Sequence, residues 1–262
     1  MFGSEILINI SKYGLRESVS KYLIGMISWL HVLKNFLPAE LNIYLYLLPH
    51  NKKLTEINPY SPDNVNSGYS YYKRTEADIV IFRKEEWFKV FLHETFHSCH
   101  LDFAGLCACS IKKLFKIKSE YRVYESYTEC WARLINCIYH SYYQKKRLTE
   151  VIREEVVYSI QNAAKVLAYT GHSYRELFNS ESYREDANVF CYYVLTAILL
   201  YRYDAFINWC QTNNEKLFKY IVQPNKLVDY MKTVYREPEL IRLFASKNRS
   251  LSMRMSKHRV FD

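Results

Sequence analysis

Six glycines and six prolines in 262 residues leave the chain few residues that turn or interrupt a helix. Stretches free of such breakers fold mostly as helix. Four of the prolines, at positions 38, 49, 59 and 62, fall close together, and strands are expected around them. The combination predicts an α+β, predominantly helical fold with a small N-terminal sheet and a helical C-terminal part. Apolar periodicity places helices over 16 to 36, 85 to 103, 107 to 117, 122 to 143, 148 to 169, 185 to 211, 214 to 221 and 225 to 233. Strands are expected at 41 to 48 and 77 to 82. Between them, 64 to 72 alternates polar and aromatic residues and reads either as an edge strand or as a tyrosine-rich loop, with Gly68 permitting close backbone approach. With no repeat, low-complexity run or Gly/Ser linker, one domain is expected over 1–262. Roughly 1–140 holds the sheet and its adjoining helices, 141–245 the helical part and 246–262 a basic tail.

The helix expected at 85 to 103 contains His93-Glu94-Thr95-Phe96-His97. Residues four apart share a helix face, so both imidazoles can meet one Zn²⁺ while the carboxylate between them addresses a water on that metal. A short apolar strand, a charged turn at 83 to 86 and the apolar run Trp87, Phe88, Val90, Phe91 and Leu92 lead into the motif. Glu85 and Glu86 stand where a helix dipole favours carboxylates. Phe91, Leu92, Phe96 and Cys99 surround the motif, and two histidines buried with a carboxylate need a shared partner. A metal is the simplest one.

A catalytic zinc takes three protein ligands. His100 lies three residues past His97, on the helix flank, and a third histidine at the spacing His-Glu-x-x-His-x-x-Gly-x-x-His is absent because position 103 is Phe. Glu125 and Glu129, four apart on the helix expected at 122 to 143, share a largely apolar face and would repel without a cation nearby. Either one meets the ligand chemistry. Asp102, five positions after His97, can support the site from behind, but an ordinary surface role is the expectation.

His93, Glu94 and His97, followed by Glu125-Ser126-Tyr127-Thr128-Glu129, resemble the gluzincin superfamily of zinc metallopeptidases. The resemblance covers roughly 77 to 136, about a quarter of the chain, and departs from the common pattern in having Tyr124 where an asparagine often precedes the ligand glutamate. It implies a zincin-like fold and a Zn²⁺ cofactor held by His93, His97 and Glu125. Glu129 would orient a histidine, the reverse assignment of the two glutamates remaining open. Glu94 would be the general base, and a peptide or protein substrate would be laid along an exposed edge strand. Such enzymes also place a Tyr or His opposite the metal. Tyr192 is preferred here over Tyr121, Tyr124 and Tyr193, although any of the four can be a packing residue. The alternative is a catalytically inactive, zincin-like, basic helical interaction protein.

The seven cysteines include no Cys-x-x-Cys pair and read as reduced core thiols. No secretory signal pattern opens the chain, so an intracellular, cytoplasmic setting is expected, a viral protein in a host cell included. The apolar run at 185 to 203 is too short for a bilayer and reads as a core helix, so no membrane span is expected. The net charge of +9 comes without a nucleic-acid motif, and no specific nucleic-acid partner is expected. Lys247, Arg249, Arg254, Lys257 and Arg259 mark a flexible tail suited to an anionic partner.

Overall fold

A computed structural model of the chain describes residues 4–11, 19–54, 60–220, 223–245 and 250–261. The sheet is set by two alternating strands. In β2 (Glu40–Leu48) Leu41, Ile43 and Leu45 are buried, and in β4 (Glu76–Arg83) Ala77, Ile79 and Ile81 are buried. Parallel pairing puts Leu41 beside Ala77, Ile43 beside Ile79 and Leu45 beside Ile81 on one face. β1 (Glu5–Ile10) joins β2 in parallel on one side, and β3 (Gly68–Lys73) joins β4 antiparallel on the other, giving the order β1-β2-β4-β3. β1 was not expected. Its side chains stay largely exposed, so the backbone of β2 holds it rather than burial.

The stretch 64 to 72 divides into the end of a one-turn helix, α2 (Pro62–Val65), and edge strand β3. A Cβ on Gly68 would stand 2.7 Å from Val80 O and 2.9 Å from Val90 Cγ1, so this strand can lie where it does only because Gly68 lacks one.

Beneath β3 and β4 runs α3 (Trp87–Ser98), in which every residue from Trp87 to Phe96 is buried. A helix buried on all sides lies in the core, and its polar side chains need partners there. α1 (Val19–Val32) is tied to it by Trp29 Nε1, which donates to Thr95 Oγ1 at 2.8 Å. α3 packs against α4 (Val123–Gln144), and α4 against α5 (Leu148–Tyr169). The helix expected at 185 to 211 is broken. A π-helical turn, Phe190–Leu195, leads into α6 (Thr196–Tyr201), and the chain then bends by 92° into α7 (Tyr203–Asn213). No single described helix is long and apolar enough to cross a membrane, and the first arm of this bent pair is almost wholly buried. The 107 to 117 stretch forms only a 3₁₀ turn, Cys109–Lys113. In place of a helix at 214 to 221, the described residues form a bridge between Lys216 and Lys219, with Tyr220 N bonded to Leu101 O. The chain continues through α8 (Pro224–Val234) and the unexpected α9 (Pro238–Phe244).

Two further expectations are corrected. Cys107 and Cys109, exposed after Gly105, are joined as a disulfide, whereas the other five cysteines are buried. Lys247 and Arg249 lie outside the described residues, but 250–261 is no loose tail. It is a strap threaded between β4's end of the molecule and α4 and α5. Met253, Met255, Ser256 and His258 are buried, Tyr193 Oη donates to Met253 O at 2.5 Å, and Asn162 Nδ2 donates to Arg254 O at 3.0 Å. Basic composition did not predict this, because buried carboxylates elsewhere in the chain receive the strap's amides.

One of them is Glu86, immediately before α3. It adopts a left-handed conformation (φ 61°) and makes no side-chain cap, contrary to the helix-start role expected for it. Its carboxylate instead accepts from Met255 N at 3.1 Å and Ser256 N at 2.5 Å, and pairs with Lys52 Nζ at 2.5 Å. Burial would raise its pKa, but Lys52 and Lys89 outweigh that and hold it down to about 2. Its stabilisation is therefore complete above the ordinary carboxylate range and is lost as pH falls through about 2. Glu86→Ala leaves Lys52 and two strap amides buried without their acceptor and should lower unfolding free energy by about 3–5 kcal/mol in urea titrations. A loss below about 1 kcal/mol would show that the strap does not depend on Glu86.

Candidate metal centre

α3 presents His93 and His97 on one face because they are four apart, and α4 presents Glu125, Glu129 and Arg133 on a facing one. The packing of the two helices brings these faces together. His93 Nε2 lies 3.1 Å from His97 Nε2 and 3.2 Å from Glu125 Oε2, and His97 Nε2 lies 3.4 Å from the same oxygen. Tetrahedral zinc ligands with bonds of about 2.0–2.1 Å stand about 3.3–3.4 Å apart, so this triangle has the size of one face of a zinc site.

The outer nitrogens settle the tautomers. His93 Nδ1 lies 3.0 Å from Glu129 Oε2, and His97 Nδ1 hydrogen-bonds Asp102 Oδ2. A carboxylate cannot donate, so each Nδ1 carries a proton, and in the neutral ring each Nε2 turns a lone pair toward Glu125. Three such donors facing one another need a proton or a metal between them. Burial alone would lower both histidine pKa values. Glu125 and Glu129 reverse that for His93, while Asp102 and Glu125 carry His97 well above its usual value.

Glu129 lies behind His93 at Nδ1 while Glu125 faces Nε2, the placement expected of an orienting carboxylate and a ligand in one of the two arrangements the sequence left open. Glu129 is fully buried and also accepts both a two-oxygen contact from Lys89 Nζ, at 2.9 Å each, and a bond from Arg133 Nε at 2.8 Å. Asp102 is a correction: its side chain is buried and supports His97, Ala104 N and Thr128 Oγ1. It reaches back because α3 ends on His100 in the left-handed conformation (φ 50°), with Leu101 N bonded to Phe96 O. His100 therefore lies past the helix rather than on its flank. Lys89 and Arg133 were missed; their signal was charge placed four residues before His93 and four after Glu129 on otherwise buried faces.

The triangle opens into a cleft of about 970 Å³ lined by His93, Glu94, His97, Glu125, Tyr124 and Tyr192, with Gly68, Tyr69 and Ser70 of β3 along one wall. Tyr192 sits on the π turn, its ring 5.9 Å from that of His93, while Arg133 Nη2 holds its carbonyl at 2.9 Å. Tyr124 lies 5.9 Å from the His97 ring. Tyr121 and Tyr193 are spent on backbone carbonyls, Phe115 O and Met253 O. No protein-family model matches the chain, and no curated protein or solved structure does so significantly.

Two outcomes follow. Asp102→Asn keeps the shape but loses the charge behind His97, and zinc affinity should fall about 10–100-fold in competition with a chromophoric chelator. The neighbouring carboxylates that raise both histidine pKa values favour protonated rings, so zinc bound between them should displace protons, and its affinity should climb with pH. Calorimetry in buffers of different ionisation enthalpy reads this directly; uptake without proton release would contradict it.

Proposed function

We propose that this chain is a zinc-dependent metallopeptidase of gluzincin type on a zincin-like fold, with His93, His97 and Glu125 holding the metal. The supporting observation is the convergence of three lone pairs on one point, each imidazole being fixed from behind by its own carboxylate. A Zn²⁺ there supplies a Lewis acid that polarises a carbonyl and acidifies a water.

The remaining work falls to side chains of the cleft. Glu94, between the two histidines and on the cleft wall, takes the proton from the attacking water and returns it to the leaving amine. Burial, and then the negative charges of Glu125, Glu94 and Glu129, hold the Tyr192 phenol well above its usual pKa. It therefore stays protonated and can donate to the oxygen on which charge develops. β3 is an edge strand with its outer side unpaired among the described residues, so an extended peptide can add to it beside Gly68 and Ser70.

The test is hydrolysis of a peptide library by zinc-loaded protein. Glu94→Gln should keep zinc and lose about 10²–10⁴-fold in turnover, and Tyr192→Phe should lose about 10²–10³-fold in kcat with little change in KM. Unchanged hydrolysis in Glu94→Gln would overturn the assignment of the base. No hydrolysis by the fully loaded wild type would favour the non-catalytic interaction protein.

A further inference from the structure

A second group of metal-ligating side chains lies away from the cleft. Cys137 of α4, Glu155 of α5 and His258 of the strap are all buried, and one donor atom from each lies within 4.8 Å of the other two. Three segments far apart in sequence contribute one residue each, so no local turn accounts for their meeting.

The hydrogen bonds around them leave one donor atom free on Glu155 and one on His258. Glu155 Oε2 accepts from Ser256 Oγ at 3.0 Å and Lys257 N at 2.8 Å, but Oε1 is buried without a hydrogen-bond partner among the described residues. His258 Nε2 lies 2.9 Å from Val151 O. A carbonyl only accepts, so Nε2 carries the proton and Nδ1 keeps a lone pair, the arrangement a backbone carbonyl imposes behind many metal-bound histidines. Cys137 is in no disulfide. His140, whose ring lies 4.5 Å from that of His258, repeats the pattern: its Nδ1 is taken by Arg259 O and its Nε2 is buried without a partner among the described residues.

Charge is compatible with the same partner. Arg133 is a cation that acts on Glu155, yet its N–H groups are directed to Glu129, Ser159 and Tyr192 O. A carboxylate with a bare buried oxygen and no direct counter-ion is costly, so Glu155 either takes up a proton or meets a cation. A thiolate, a carboxylate and a neutral imidazole around a divalent ion sum to zero charge, and this donor set suits a borderline-soft metal.

We propose that Cys137, Glu155 and His258 form a second, structural metal site that takes a zinc-like divalent ion and clamps the C-terminal strap to α4 and α5. The site is independent of hydrolysis in the cleft and stands or falls without it.

The experiment removes the first site and looks for the second. The His93→Ala/His97→Ala double variant, checked for folding by circular dichroism, is reconstituted with zinc, freed of loose metal and measured by mass spectrometry. One zinc per chain is expected, against two in wild type, and none once Cys137→Ser and His258→Ala are added. Because those core substitutions can prevent folding, Co²⁺ replaces zinc in a parallel sample of the double variant, where a thiolate-to-cobalt charge-transfer band is expected. A folded double variant that binds no zinc, or binds Co²⁺ without a thiolate band, overturns the proposal.

Discussion

The carboxylate of Glu129 holds the two halves of the candidate centre together. Fully buried, it is shared by Lys89 and His93 of α3 and by Arg133 of its own helix, all within 3.0 Å. Charges this deep persist only when each has an opposite partner, and removing one partner of such a set costs about 3–5 kcal/mol. The set extends in alternation from Lys52 to Glu86, and from Lys89 through Glu129 to Arg133. Lys89 and His93 are four apart on α3, and Glu129 and Arg133 four apart on α4. Any rotation of one helix against the other would therefore break several pairs at once. The register of α3 on α4 is fixed by charge as well as by packing.

That register carries through to the cleft. Glu129 turns the His93 ring so that Nε2 points at Glu125, while Asp102 does the same for His97 from the loop beyond the helix. Arg133 adds a link to the π turn through Tyr192 O. A π turn inserts one extra residue into a helical path and so changes which side chain faces outward. In Phe190–Leu195 every residue is buried except Tyr192, which lines the cleft. Orientation of His93 and placement of the tyrosine thus share one buried network, while His97 is set separately from the loop by Asp102.

The sequence made the local parts legible. His93 and His97 read as a pair because helical spacing alone sets them on one face, and the same rule joined Glu125 to Glu129. β2 and β4 were visible because alternation buries one face. What escaped depends on contacts between distant residues. β1 pairs through its backbone and buries little, so its composition carried a weak pattern. Asp102 needed the left-handed stop at His100, which no periodicity encodes. The strap looked like a basic tail because its backbone amides and the Ser256 hydroxyl, rather than its basic side chains, are hydrogen-bonded to Glu86 and Glu155. The break between α6 and α7 lies at Arg202, within a run whose apolar character continues on both sides.

The most direct measurement is anomalous diffraction at the zinc edge from crystals of the zinc-loaded protein. A peak about 2.0–2.1 Å from His93 Nε2, His97 Nε2 and a Glu125 oxygen, with Glu129 and Asp102 still behind the two imidazoles, is the predicted result. Loaded crystals with no peak at that point, and with Glu125 hydrogen-bonded directly to both histidines, would contradict the site on which the proposed chemistry rests.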